Sequence, residues 1–151
     1  MKKITKIHSF FILCFLLIST QVISQNNIEY NNVSQDWSLI ANNNGVNIYV
    51  MKTTCKLDEK FKPSTWLFYK LENTTTENKS VEFTPIYTYQ EGCVNCDNNT
   101  EYSLEFQLEA NETLNGDCGF ADRNLTFCIH NPNLSGGWKL LDIELSQLTV
   151  K

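Results

Sequence analysis

The sequence has 151 residues, 42% of them hydrophobic, with 17 acidic and 12 basic residues and a net charge of −5 at pH 7. This acidic balance argues against nucleic-acid binding, which needs a basic surface, and against binding to an anionic membrane surface. The length suits one domain built around one hydrophobic core.

The N-terminus has the order of a secretory signal peptide. Three lysines form a basic start, an apolar run covers 9–18, and small residues lead to a cleavage position after Ser24. The apolar run is shorter than the ~20 residues that span a bilayer as a helix. We therefore predict a signal peptide over 1–24 and a secreted or periplasmic protein that begins at Gln25 and has no membrane attachment after cleavage.

Removal of this segment changes the charge and leaves five cysteines. The segment carries three of the 12 basic residues and no acid, which leaves 9 basic against 17 acidic residues and a net charge of about −8. Exported proteins form disulfides by default, so disulfides are the first expectation for the remaining cysteines. These are Cys55, Cys93, Cys96, Cys118 and Cys128.

Short strand patterns separated by turn signals follow a polar segment over 25–35, which we expect to be flexible. Asn44-Gly45 supplies the positive φ angles of a tight hairpin turn. Pro85 cannot donate to a sheet ladder, which places its strand at an edge or gives it a bulge. The strand patterns cover 37–41, 46–52, 65–72, 81–89, 102–109, 125–130 and 140–150, with a short strand before Cys118.

These patterns indicate the fold class. About eight short strands, turns at intervals of about 8–12 residues and no helical pattern are typical of a β-sandwich. We predict an all-β fold over 36–151, a single antiparallel β-sandwich of about seven to nine strands. The run 65–72 is nearly continuous in apolar residues, which predicts a central strand with Trp66 in the core.

Five sequence features together carry a resemblance. They are Trp37 in the first strand, Cys55 at the end of the second, the run 71–75, the Cys93-x-x-Cys96 pair and a turn that runs into Cys118. Over nearly all of the mature chain, they resemble small secreted proteins of unknown function from Bacteroidetes-type bacteria. The resemblance implies an immunoglobulin-like sandwich and brings no assigned activity. Cys128 is not part of the pattern.

Alternating strand directions bring four cysteines to one pole of the sandwich, where two disulfides would staple the loops, each adding roughly 3–4 kcal/mol. The sequence leaves three pairings open. Cys128 is the odd cysteine, and we expect a free thiol that packs as a small hydrophobic residue. The three pairings are Cys55–Cys93 with Cys96–Cys118, Cys55–Cys96 with Cys93–Cys118, and a local Cys93–Cys96 bridge with Cys55–Cys118.

Metal and redox chemistry are the other interpretations of these cysteines. Four thiolates would bind Zn²⁺ tetrahedrally, but Cys55 and Cys118 lack the second close pair that structural zinc sites use, so we predict no metal. Redox Cys-x-x-Cys pairs lie at helix N-termini. The pair Cys93-x-x-Cys96 follows a strand instead, which disfavours a redox role.

The sequence favours a secreted, non-enzymatic structural, adhesion or binding module with an unknown protein or glycan partner. We predict no catalytic residue and no cofactor, because the common hydrolase, metalloprotease and phosphate-loop motifs are missing. Of the tryptophans able to stack on a sugar ring, Trp138 is the best placed for ligand contact, because it follows Gly136-Gly137. The alternative is a secreted redox or metal-binding protein that uses Cys93-x-x-Cys96, or an enzyme that uses His130.

Overall fold

The computed structural model describes residues 27–56, 58–97, 102–130 and 139–151. The expected signal peptide over 1–24 and Trp138 lie outside these residues. Short 3₁₀ turns are present at Tyr30–Asn32 and Arg123–Leu125. The strands of the described ranges are β1 (Asn27–Glu29), β2 (Ser38–Asn43), β3 (Val46–Cys55), β4 (Ser64–Asn73), β5 (Lys79–Tyr89), β6 (Gly92–Val94), β7 (Leu104–Leu108), β8 (Thr113–Asn115), β9 (Thr126–His130) and β10 (Leu140–Val150).

The strands form two antiparallel sheets, which confirms the predicted all-β sandwich. One sheet has the order β1-β10-β5-β6, and β7 pairs with β5 on the same side as β6. The other has the order β2-β3-β4-β8, and β9 pairs with β4 on the same side as β8. The immunoglobulin-like connectivity stays a prediction. Three of the strands have only three residues, so seven longer strands build most of the sandwich.

The core lies between the inward faces of the two sheets. Successive side chains of a strand point to opposite faces, and β3 follows this rule with buried apolar residues at every second position. The core residues of β3, β4 and β5 are Val46, Ile48, Val50, Leu67, Tyr69, Leu71, Val81, Phe83, Tyr87 and Tyr89. The alternate positions of β3 and β4 therefore form an outer face, which carries the candidate site.

A hairpin turn and a buried asparagine order the pole opposite the disulfides. Asn44 and Gly45 have φ angles of 44° and 79°, which are the positive values that the sequence predicts for a type I′ turn. Asn73 is 1% exposed, and its Nδ2 donates to the carbonyl oxygens of Glu77 (2.7 Å) and Glu109 (2.8 Å). Its Oδ1 accepts from the backbone N–H (3.0 Å) and the hydroxyl (2.8 Å) of Thr75. Asn73 therefore links two turns with every hydrogen bond of its amide satisfied.

Strand β10 keeps its apolar side chains on the core through two irregularities. Its register against β5 shifts between Leu140 and Asp142 and again between Ser146 and Thr149. The second shift includes Gln147, whose φ is 55°. Each extra residue reverses the inward and outward alternation. As a result, the inward positions are spaced by three, two, three and two residues, at Leu140, Ile143, Leu145, Leu148 and Val150.

Pro85 lies in an inner strand, so the edge position is wrong, whereas the alternative of a bulge agrees with the register shifts in the β5–β10 pairing. Residues 79–83 of β5 pair with β7 and residues 87–89 pair with β6, whereas Pro85 lies between these two stretches. Its missing N–H therefore costs no ladder bond on that side, and its carbonyl oxygen accepts from Asn95 Nδ2 at 2.8 Å. Between β6 and β7 no strand needs a hydrogen bond from this position, so the proline is tolerated there as it would be at a sheet edge.

Residues 27–35, the described part of the lead-in, contain β1 and a 3₁₀ turn. Ile28 lies opposite Ile143 in the β1–β10 pairing, and Val33 is 2% exposed. Burial of one such side chain contributes about 1.5–3 kcal/mol. These two apolar residues are enough to bind an otherwise polar segment to the sandwich.

Candidate functional site

Two disulfides lie at one pole of the sandwich, in the third of the pairings left open by the sequence. Cys55 is bonded to Cys118 with Cα atoms 5.6 Å apart, and Cys93 is bonded to Cys96 with Cα atoms 5.8 Å apart. Cys55 is buried at the end of β3, whereas Cys93, which lies in β6 opposite Thr88 of β5, and Cys96 are exposed. The first bridge joins distant parts of the chain, while the second closes a single tight turn.

Cys128 is a free thiol in β9. It is half-buried and lies opposite Trp66 in the β4–β9 register. Burial raises the pKa of the Cys128 thiol, which lowers its thiolate fraction and its reactivity. His130 is exposed at the end of the same strand. The structure therefore gives Cys128 the environment of a packing residue.

Trp66 lies on the outer face, not in the core as the sequence suggested. The core takes Leu67 from β4, so the neighbouring Trp66 and Phe68 point to the opposite face. The ring of Phe120 covers both, with ring centroids 4.6 Å from Trp66 and 6.4 Å from Phe68. A continuous apolar run hides the alternation, because a loop buries the second face of β4 as well.

The loop that covers this area, residues 116–125, is attached at several points. The Gly116 N–H donates to the Tyr69 carbonyl oxygen at 2.9 Å, and a Cβ atom at Gly116 would collide with the Leu125 carbonyl oxygen. Cys118 links the loop to β3. Phe120 has a φ of 55°, a conformation that is uncommon for a bulky residue and that surrounding contacts must impose. The disulfide and the aromatic contacts together impose it.

In the described residues no loop covers the other half of the outer face, which carries a group of half-buried aromatic and charged side chains. Tyr49 of β3 lies opposite Leu39 of β2 and Lys70 of β4, and Leu39 is 54% exposed. The Lys70 ammonium is 4.0 Å from the ring centroid of Tyr49 and 5.4 Å from that of Trp37. Such cation–π contacts contribute about 0.5–1 kcal/mol at exposed sites. They favour this arrangement of both rings around the ammonium.

Glu72 extends this group along β4. Its Oε2 accepts from the Tyr49 hydroxyl at 2.8 Å and from Asn47 Nδ2 at 3.1 Å. Asn42 Nδ2 in turn donates to Asn47 Oδ1. We call Trp37, Leu39, Asn47, Tyr49, Lys70 and Glu72 the aromatic patch.

The hydrogen bonds of the patch shift two pKa values. The Asn47 amide and then the Tyr49 hydroxyl stabilise the carboxylate and hold the pKa of Glu72 below its usual value. The same carboxylate raises the pKa of Tyr49, because it accepts a hydrogen bond from the neutral phenol. Near neutral pH the patch therefore contains one carboxylate, one ammonium and a neutral phenol.

Sequence reasoning missed most of this patch. Tyr49, Lys70 and Glu72 were placed in strands, and their outward direction follows from the alternation of β3 and β4. The sequence signal for the patch is Tyr49, an aromatic residue at an outward position between the inward Ile48 and Val50 of β3. Sequence alone gives no strand neighbours, so it did not bring the β3 residue and the two β4 residues together.

The described residues also bear on metal binding and on membrane crossing. In the ranges 27–56, 58–97, 102–130 and 139–151, no three metal-ligating side chains come together in a possible metal site. No helix in these ranges has the length and apolar character needed to cross a membrane.

Comparison with solved structures finds a distant likeness. No family profile and no curated protein matches the chain. Among solved structures, the Salmonella enterica trimeric lipoprotein SadB is similar over 94% of this chain and 71% of that chain, with 12% sequence identity and a TM-score of 0.37. A likeness this distant carries no inference about function.

Proposed function

We propose that the protein is an exported, non-enzymatic binding module that contacts its partner through the aromatic patch. One observation carries the proposal: Trp37, Tyr49 and Lys70 form a half-exposed group, with no covering loop in the described residues, whose members contact each other. Leu39, 54% exposed beside them, adds apolar area without a partner in the described structure.

Pre-ordering suits a binding role. Association costs about 0.5–1.5 kcal/mol for each flexible side chain that must be immobilised. Lys70 is fixed by two rings and Glu72 by two hydrogen bonds, so much of this cost is met before a partner arrives. Aromatic residues are also enriched in binding surfaces because they supply large contact area with few rotatable bonds.

Export is supported by sequence and structure together. The start of the chain has the order of a signal peptide, and the sandwich contains the Cys55–Cys118 bridge and the Cys93–Cys96 bridge, which persist in oxidising compartments. The resemblance to small secreted Bacteroidetes-type proteins agrees with this location. Expression of the full chain in a bacterial host should yield an extracytoplasmic protein whose N-terminal residue is Gln25, and an intact Met1 would contradict export.

An array experiment tests the binding role. The labelled full chain is applied to immobilised polysaccharides and purified secreted proteins, beside the double variant Tyr49→Ala/Glu72→Gln. At least one probe should bind the wild type and lose about tenfold in affinity, or 1.4 kcal/mol, with the variant. A wild type that binds no probe, or a variant that binds like the wild type, would contradict the proposal.

A second candidate function is thiol–disulfide exchange at Cys93–Cys96. Both residues are exposed, and the ring they close spans a sequence separation of three. Closure of so short a loop adds only about 2 kcal/mol in the chain-entropy description. Because the sulfurs are bonded to each other, they present no thiolate for a metal in this form.

Reduction of the two disulfides would distinguish an exchange site at Cys93–Cys96 from a structural bridge. Under graded dithiothreitol, an exchange site should be reduced well before the Cys55–Cys118 bridge, and its thiols should reduce a small disulfide such as oxidised glutathione. Joint reduction of both bridges only on unfolding would reject the exchange role.

A further inference from the structure

The chemistry of the aromatic patch restricts what it can bind, given that the patch is the contact surface proposed above. Its centre contains one ammonium, on Lys70, and one carboxylate, on Glu72, two residues apart on the same face of β4. The two charges offset each other, so the patch attracts neither strong anions nor strong cations. The mature chain, with a net charge of about −8 after removal of the three lysines in 1–24, adds a general repulsion of anionic polymers.

Both charged groups have capacity for further hydrogen bonds. The Lys70 ammonium has three donors, and its recorded contacts are with ring faces. The Glu72 carboxylate offers about four lone-pair positions, and two donors, from Tyr49 and Asn47, occupy one of its oxygens. A ligand with closely spaced hydroxyl groups can donate to the carboxylate and accept from the ammonium at once.

A protein partner fits this centre less well. The centre of a protein interface is depleted of charged residues, and burial of Lys70 and Glu72 under apolar side chains would remove both from water at a cost of several kcal/mol per ion. A hydroxyl-rich ligand replaces the lost water contacts with hydrogen bonds of its own. The aromatic rings meanwhile supply apolar area for the C–H surface of such a ligand.

The size of the patch suits an extended chain. It crosses β2, β3 and β4, so it is about 10 Å wide at the usual strand spacing. Along β4, Lys70 and Glu72 are separated by about 7 Å. Hydrogen-bonding groups line one side at Asn47 and Glu72, and the apolar contact area lies at Trp37 and Leu39. The patch therefore has one polar and one apolar side.

We infer that the aromatic patch binds a neutral glycan chain, with Trp37 and Tyr49 packed against sugar rings and Asn47, Lys70 and Glu72 hydrogen-bonded to sugar hydroxyls. This inference rests on the proposed function and adds the chemical class of the ligand to it. The tyrosine carries the largest share, because it contributes the ring contact and also orients Glu72 through a 2.8 Å hydrogen bond.

Titration calorimetry with defined oligosaccharides tests the inference. The probes are cellohexaose, laminarihexaose, mannohexaose and chitohexaose, each titrated into the full chain beside the acidic chains polygalacturonate and heparin. At least one neutral probe should bind, and Tyr49→Ala should weaken binding at least about tenfold. The affinity of Tyr49→Phe should lie between those of the wild type and Tyr49→Ala, since this variant keeps the ring and loses the hydrogen bond to Glu72.

Phe61→Ala is the matched control, because Phe61 is an aromatic residue with 54% exposure in the loop between β3 and β4, outside the patch. The affinity of Phe61→Ala for each probe should equal that of the wild type. All variants should keep the wild-type melting temperature within a few degrees. Absence of binding to every neutral probe would overturn the inference, as would equal loss in Tyr49→Ala and Phe61→Ala.

The outcomes also separate this inference from the proposed function. If a protein or an acidic chain binds and Tyr49→Ala abolishes that binding, the glycan class is wrong while the patch remains the contact surface. If a neutral probe binds but every patch variant binds it like the wild type, the contact surface is wrong, and the proposed function and the inference that rests on it both fail.

Discussion

The outer face of β3 and β4 has two halves that differ in what lies over them. At one end, Phe120 of the 116–125 loop covers Trp66 and Phe68. At the other end, Tyr49 and Lys70 face outward, and no loop of the described residues lies over them. Both halves are built from the same two strands in one continuous register from Val46–Asn73 to Cys55–Ser64.

The difference shows what each half is for. Aromatic residues under a loop that is tied down by a disulfide are removed from water, so they contribute to stability as a second, smaller core. Aromatic residues that are ordered but uncovered contribute little to stability and remain available to a partner. Substitutions at equivalent depths along β3 and β4 should therefore have opposite profiles, one affecting unfolding and the other affecting binding.

Removal of the Cys55–Cys118 bridge should have the largest effect on the covered half. The bridge closes a loop with a sequence separation of 63, for which the chain-entropy description gives about 4 kcal/mol. Cys55→Ala/Cys118→Ala should lower the free energy of unfolding in urea by that order. The matched variant Cys93→Ala/Cys96→Ala should lose only about 2 kcal/mol. Equal losses would show that the long bridge does not secure the covering loop.

Phe120→Ala should have the next largest effect. The substitution uncovers Trp66 and Phe68 and removes most of a partly buried aromatic side chain, at a cost of about 2 kcal/mol. Tryptophan emission should shift to the red as Trp66 meets water. Phe61→Ala, at a 54% exposed phenylalanine, should change stability by less than about 0.5 kcal/mol. An unchanged emission spectrum in Phe120→Ala would contradict the covering role of this ring.

Lys70→Gln should have a small effect on stability. It removes the ammonium from the rings of Tyr49 and Trp37, which costs about 0.5–1 kcal/mol at an exposed site. Urea unfolding measures this loss, and near-ultraviolet circular dichroism should report freer aromatic rings. A loss as large as that of Phe120→Ala would mean that the open half is part of the structural core after all.

Acid should loosen the open half by a smaller amount still. The Asn47 and Tyr49 hydrogen bonds hold the pKa of Glu72 below its usual value of 4.5, so they stabilise the native state above that pH. The contribution disappears as the pH falls through the lowered folded-state pKa. The stability difference between wild type and Glu72→Gln should therefore be constant near neutral pH and shrink in acid. A stability difference that grows in acid would contradict the hydrogen bonds assigned to Glu72. The nearby cation is Lys70, whose charge also favours the carboxylate.

The parts of this architecture that sequence predicts are those set by local pattern. The Asn44-Gly45 turn follows from backbone sterics, and the alternation of Val46, Ile48 and Val50 follows from strand geometry. The pole of the cysteines follows from strand direction. Each of these predictions requires only the identity of neighbouring residues or the number of times that the chain reverses direction.

The rest depends on contacts between distant residues. Trp66 was misplaced because the apolar character of 65–72 is continuous, and only the 116–125 loop reveals that two faces are buried. The cysteine pairing depends on which loops meet at the pole. The patch joins Tyr49 to Lys70 through the β3–β4 register, which the sequence alone does not specify.

Chemical-shift mapping of the amide spectrum, with the neutral hexasaccharide that binds best, tests the central claim most directly. We predict that the perturbed amides cluster at Leu39, Asn47, Tyr49 and Glu72, and that those of Trp66 and Phe68 under the loop stay unchanged. Perturbations centred on the covered half, or on the turn that contains Cys93 and Cys96, would contradict the assignment of binding to the open half of the outer face.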